Sequence, residues 1–100
     1  MVSDAYLNIA QRLNAVCPQD YKRAWIEAEV GDEWDNQTAW CEGPAGKMQP
    51  EIPPVESFAI GDALRDLRSQ MTTPGDKPWS RCTFTLYPDG KFNFAVQYDD

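Results

Sequence analysis

The stretch WSRCTFTLYPDGKFNFAVQYDD, residues 79–100, decides the fold. Apolar and polar residues alternate on both sides of Pro88, Asp89 and Gly90, as in two strands that each bury one face. Those three residues suit a type I turn followed by a glycine in the left-handed conformation. Register then selects the loop length. If Pro88–Gly90 forms the loop, Leu86 falls opposite Phe92, Phe84 opposite Phe94 and Cys82 opposite Val96, so all six apolar side chains share one face. A two-residue Asp89-Gly90 loop would set Leu86 against Asn93, so the pattern predicts the longer loop with its bulge.

Working back toward the start, VESFAIGDALRDLRSQM (55–71) repeats apolar residues at helical spacing through Ile60, Leu64, Leu67 and Met71. Pro53 and Pro54 set the start of this helix, and Pro74 and Gly75 end the segment. Gly61 in its middle either weakens the helix by about 1 kcal/mol or marks a close packing contact. Before it, GPAGKMQPEIPP (43–54) holds prolines at 44, 50, 53 and 54 and reads as a connecting loop. In RAWIEAEVGDEWDNQTAWCEG (23–43), Ala24, Ile26, Ala28 and Val30 alternate with Trp25, Glu27 and Glu29, the mark of a half-buried strand. A second strand is expected around Gln37 to Glu42, paired with the first as a hairpin across a polar loop from Gly31 to Asn36. The first segment, SDAYLNIAQRLNAVCP (3–18), places Tyr6, Ile9, Ala10, Leu13 and Val16 on one helical stripe, with Ser3 as N-cap and Pro18 as terminator. The predicted order is helix, strand, strand, helix, strand, strand. One domain over 1–100 follows, an α+β two-layer sandwich with two helices on a mostly antiparallel four-stranded sheet.

One hundred residues, 42% of them hydrophobic, suffice for one core without metal or disulfide staples. Cys17, Cys41 and Cys82 are widely spaced, an odd number, and lack any C-x-x-C, so they read as buried thiols in a reducing cytoplasm. Asp4, Asn8, Gln11, Arg12 and Asn14 interrupt the apolar residues near the start, which argues against a signal peptide or membrane span. Nine Lys and Arg against sixteen Asp and Glu give a net charge of −7. Direct nucleic-acid binding, which draws its affinity from cations, is disfavoured, and a basic protein is the partner that this charge suits. Acidity alone also serves a well-hydrated surface.

Catalytic chemistry finds little support. Histidine is absent, and with it the commonest general base and neutral metal ligand. No G-x-S-x-G, Walker or G-x-G-x-x-G motif occurs. Asp62 and Asp66 lie four apart on the second helix beside Arg65 and Arg68, the pattern of a solvated charged face. A cysteine nucleophile lacks a base beside it. The reading is a non-enzyme with no cofactor and no metal; homo-oligomerisation is left open.

What remains is a surface. If Ala24, Ile26, Ala28 and Val30 face the helices, Trp25, Glu27 and Glu29 point the other way, joined by Thr38, Trp40 and Glu42 of the next strand. From residue 27 to 42 there are six acids and no Lys or Arg. Glu27, Glu29, Asp32, Glu33, Asp35 and Glu42 are the candidate electrostatic contacts, and Trp34 and Trp40 the anchors, since tryptophan is favoured at interface hot spots. The competing reading for Trp25, Trp34, Trp40 and Trp79 is that each covers the core or a loop.

The segment Trp79 to Asp99 resembles the closing signature of the YezG-like bacterial immunity proteins, and AYLNIAQRLNAVCP, WIEAEVG and ALRDLRSQM fit the same order. The resemblance implies a cytoplasmic antitoxin that binds and blocks a secreted toxin domain, often a nuclease. A nuclease holds its anionic substrate in a cationic cleft, which an acidic surface would cover. The alternative is a secretion adaptor or chaperone that holds an effector without inhibiting it.

Overall fold

The computed structural model describes residues 4–98. Ser3, expected as the first helix cap, and Asp99 and Asp100 lie outside the described residues. The elements are α1 (Asp4–Val16), β1 (Arg23–Val30), β2 (Asp35–Gly43), β3 (Gly46–Met48), α2 (Pro54–Met71), β4 (Arg81–Leu86) and β5 (Phe92–Gln97). The strands form one antiparallel sheet in the order β3-β2-β1-β4-β5.

The closing hairpin has the expected register, with Leu86 opposite Phe92, Phe84 opposite Phe94 and Cys82 opposite Val96. Its loop is the longer one. The Gly90 N–H donates to the Tyr87 carbonyl at 2.9 Å, and the Tyr87 N–H to the Lys91 carbonyl at 2.9 Å. Gly90 sits at φ +88°, where a side chain would be strained. The first hairpin is also present, with Trp25 opposite Trp40 and Glu27 opposite Thr38. Its loop is shorter than expected, because Asp35 and Asn36 already pair with Val30 and Glu29.

Among the described residues the sheet has five strands, not four. The additional one is β3, inside the proline-rich segment expected to be irregular. The reason is placement: Pro44 falls in the turn and Pro50 beyond the strand, so neither removes a ladder donor, and Gly46 at φ +109° closes the turn back from Gly43. A three-residue edge strand built from Gly, Lys and Met carries too little alternation to be read from sequence.

One core lies between the sheet and both helices. Ile9 and Leu13 of α1 and Ile60, Leu64 and Leu67 of α2 meet Ala24, Ile26 and Val30 of β1, Cys41 of β2, and Cys82, Phe84 and Leu86 of β4. Trp79 is fully buried and meets Phe94 edge-on, 5.7 Å between ring centroids. Tyr6 of α1 stacks on Phe92 at 5.1 Å. Burial desolvates the Cys82 thiol and pushes its pKa up to about 12, so it stays protonated and inert near neutrality.

The other two cysteines depart from expectation. Cys17 and Cys41 are joined in a disulfide, with Cα atoms 6.1 Å apart. Pro18 ends α1 just after Cys17, and Cys41 faces inward from β2, so folding brings together two residues that chain spacing keeps separate.

Gly61 marks close packing. A Cβ there would stand 2.8 Å from the Asp35 Cγ and closer still to a carboxylate oxygen that also accepts from Arg65. Gly61→Ala should therefore lower stability by about 1 kcal/mol: the helix gains about 1 kcal/mol, but the displaced carboxylate loses charge-assisted hydrogen bonds of about 1.5–3 kcal/mol. In an Asp35→Ala background the same change should stabilise, and denaturant titration of the four proteins checks the sign reversal.

Candidate functional surface

Both helices cover one face of the sheet, so the opposite face is open. Its residues follow from the registers: Trp25, Glu27 and Glu29 on β1, Asn36, Thr38, Trp40 and Glu42 on β2, and Arg81, Thr83 and Thr85 on β4. The face divides into two ends.

At one end, Trp25 and Trp40 stack with ring centroids 6.3 Å apart and planes 20° from parallel. The Arg23 guanidinium lies 4.8 Å from the Trp25 ring centroid, and Lys47 Nζ lies 5.5 Å from Trp25 and 5.9 Å from Trp40. Arg23 also donates to Glu42 at 2.8 Å. Trp25 is buried, yet it stands outside the core: its neighbours on the open face cover it. A cation over a ring at an exposed site contributes about 0.5–1 kcal/mol, less than the rotamer entropy of about 1.5–2 kcal/mol that fixing a lysine costs, so Lys47 favours this position over both indoles without being locked there.

At the other end, Glu27 and Glu29 are exposed and border a shallow hollow of about 460 Å³ together with Asn36, Thr38, Arg81 and Thr83. Glu29 faces Arg81 across the β1–β4 pair.

The eight sequence-derived contacts thus fall into three groups. Glu27, Glu29, Trp40 and Glu42 share the open face. Asp32, Glu33 and Trp34 occupy the β1–β2 loop; Trp34 is 55% exposed, its indole lies across Gly31, and the Gly31 N–H donates to the Trp34 carbonyl at 2.8 Å. Asp32 is exposed and ion-paired with Arg68 at 2.6 Å. Asp35 stands apart from both groups, turned toward α2 and held by Arg65 and by Gln37 at 2.9 Å. The run of acids without cations in sequence is therefore not without cations in space, because Arg23, Lys47 and Arg81 enter from outside the run. Trp25, which the sequence placed on this face, stands with the anchors. No signal in the sequence pointed to Lys47, since only β3 brings it over the indoles. Elsewhere, Asp62 makes only a 3.7 Å contact to Arg65 and remains exposed, as does Asp66.

Among the described residues, no helix is long and apolar enough to cross a membrane. The chain matches no protein-family model, and no curated protein is significantly similar to it.

Proposed function

We propose that this chain is an immunity protein that binds and neutralises a cognate bacterial toxin, a nuclease or other nucleic-acid-modifying enzyme, through the open face of its sheet. The observation that carries the reading is the uncovered face itself, where a stacked Trp25–Trp40 pair with Arg23, Lys47 and Glu42 occupies one end and exposed Glu27 and Glu29 occupy the other. Aromatic anchors give affinity once desolvated, and carboxylates around them speed the approach of a cationic partner. Asp32, Glu33 and Trp34 extend the surface along the β1–β2 loop. The resemblance of Trp79–Asp99 to the closing segment of immunity proteins supplies the toxin as partner and the cytoplasm as workplace. Inhibition then requires only that a cationic cleft be covered, for which no catalytic group is needed on this chain.

The test is co-expression with the product of the neighbouring reading frame. An immunity protein rescues cells from it, whereas an adaptor changes its export and leaves its toxicity intact. Glu27→Lys with Glu29→Lys should then slow association about tenfold at low salt and flatten the salt dependence, with circular dichroism unchanged. Unaltered kinetics would place the interface elsewhere.

A further inference from the structure

The chain carries −7, but the open face does not share evenly in that charge. Among its strand residues, the registers set three cations, Arg23, Lys47 and Arg81, against three carboxylates, Glu27, Glu29 and Glu42, so the face is neutral in sum. The charges are sorted by end. Arg23, Glu42 and Lys47 lie abreast across β1, β2 and β3 at the tryptophan end and leave one positive charge in excess. Glu27, Glu29 and Arg81 leave one negative charge at the other end, and exposed Glu33 of the β1–β2 loop adds a second. At about 3.3 Å per residue, Glu27 lies about 13 Å and Glu29 about 20 Å along β1 from Arg23. Both separations exceed the screening length of about 8 Å at physiological salt, so a docked protein meets two local fields of opposite sign.

Arg23 is already matched, since it donates to Glu42 at 2.8 Å. Lys47 is not. Its Nζ lies 5.5 and 5.9 Å from the centroids of the two indoles and makes no ion pair among the described residues. A protein seated on the tryptophans strips water from that ammonium, and an unpaired charge taken out of water loses more than a cation–π contact returns. On the reading that the open face binds the toxin, we propose that Lys47 sets the orientation of the complex. An acidic side chain of the toxin pairs with Lys47 at the tryptophan end, while the toxin's cationic cleft covers Glu27, Glu29 and Glu33 at the other. The reverse orientation opposes like charges at both ends, which is how Lys47 excludes it. The surface recognised is therefore two-signed, a basic cleft with a carboxylate about 13–20 Å away, and a uniformly basic protein gains at one end only.

The sign of one substitution separates this orientation from attraction by overall charge. Lys47→Glu makes the chain two charges more acidic, so if overall charge alone drew a basic partner, the variant would bind faster and tighter. The oriented complex requires the opposite. Binding to the product of the neighbouring reading frame should weaken about tenfold for Lys47→Glu and about two- to fivefold for Lys47→Gln, and should hold for Lys47→Arg, which keeps a cation over the rings. Surface plasmon resonance at low and physiological salt gives the rates, and the melting temperature of each variant checks folding. Were Lys47 only a cover for the indoles, Gln and Glu would weaken binding equally. That result overturns the proposal, as does unchanged or tighter binding by Lys47→Glu. Glu27→Lys with Glu29→Lys tests the underlying reading in the same series. If this pair slows association while Lys47→Glu does not weaken the complex, the face stands and the orientation alone is overturned. If the pair changes nothing, or the parent does not bind, the open-face reading falls and the orientation with it.

Discussion

Replacing Cys17 and Cys41 together by Ala lowers the unfolding free energy by about 3–4 kcal/mol, because the bond closes a loop spanning 24 residues of sequence separation and so restricts the unfolded chain. Against a total of about 5–15 kcal/mol this is a large share, and it moves the melting temperature down by about 15–25 °C. The reduced wild-type protein should match the double variant, while the variant itself is indifferent to reductant. Thermal melts with and without reductant check both statements. A thiol count on the unfolded, unreduced chain gives one group if the bond is present and three if it is not. Equal melts together with three thiols would end the argument. The outcome also bears on function, since Cys41 lies between Trp40 and Glu42. In a reducing compartment the tie between α1 and the Trp40 end of the open face would open, while the β1–β2 pairing that sets Trp25 opposite Trp40 would remain, flanked by Lys47 and the Arg23–Glu42 contact.

Trp79→Ala is the second large effect, a loss of about 3–5 kcal/mol. The indole is fully enclosed, packs edge-on against Phe94, and sits one residue before the Ser80 N–H that bonds the Gln97 carbonyl at 2.9 Å. Its own carbonyl accepts from Arg68 Nε at 2.8 Å, which links α2 to the entry of β4. Removing the ring leaves a cavity that neither β4 nor α2 can fill without breaking these bonds. Trp79→Phe should cost distinctly less: it keeps much of the ring and deletes an indole N–H that has no partner among the described residues, a group whose burial costs about 1–3 kcal/mol. Urea unfolding of both variants gives the order, and a Phe variant as unstable as the Ala variant would show that the ring does not act through packing.

The closing hairpin was legible because two constraints agreed there. A turn tripeptide limited the loop, and six apolar residues at period two allowed one register. The two helices and the first hairpin followed from periodicity in the same way, as did the sharing of one face by Trp25, Glu27, Glu29, Thr38, Trp40 and Glu42. Each of these is a property of neighbours in sequence, fixed by 2.0- or 3.6-residue repeats that need no knowledge of the rest of the chain. The remainder lay between segments. The strand at Gly46–Met48 exists because β2 offers it an edge, and it carries Lys47 onto the tryptophans. Asp35 turned from candidate contact to half-buried ion-pair partner because α2 places Arg65 and the bare backbone of Gly61 beside it. Cys17 met Cys41 because Pro18 stops α1 over β2. Sequence alone thus determined the two helices, four of the strands, the register of the closing hairpin and which side chains share a face, since local steric and hydrophobic periodicity suffices for those. Which charges are neutralised, which thiols are joined and which edge is left open were decided only when the elements packed, because those depend on distances between residues that the chain itself keeps far apart.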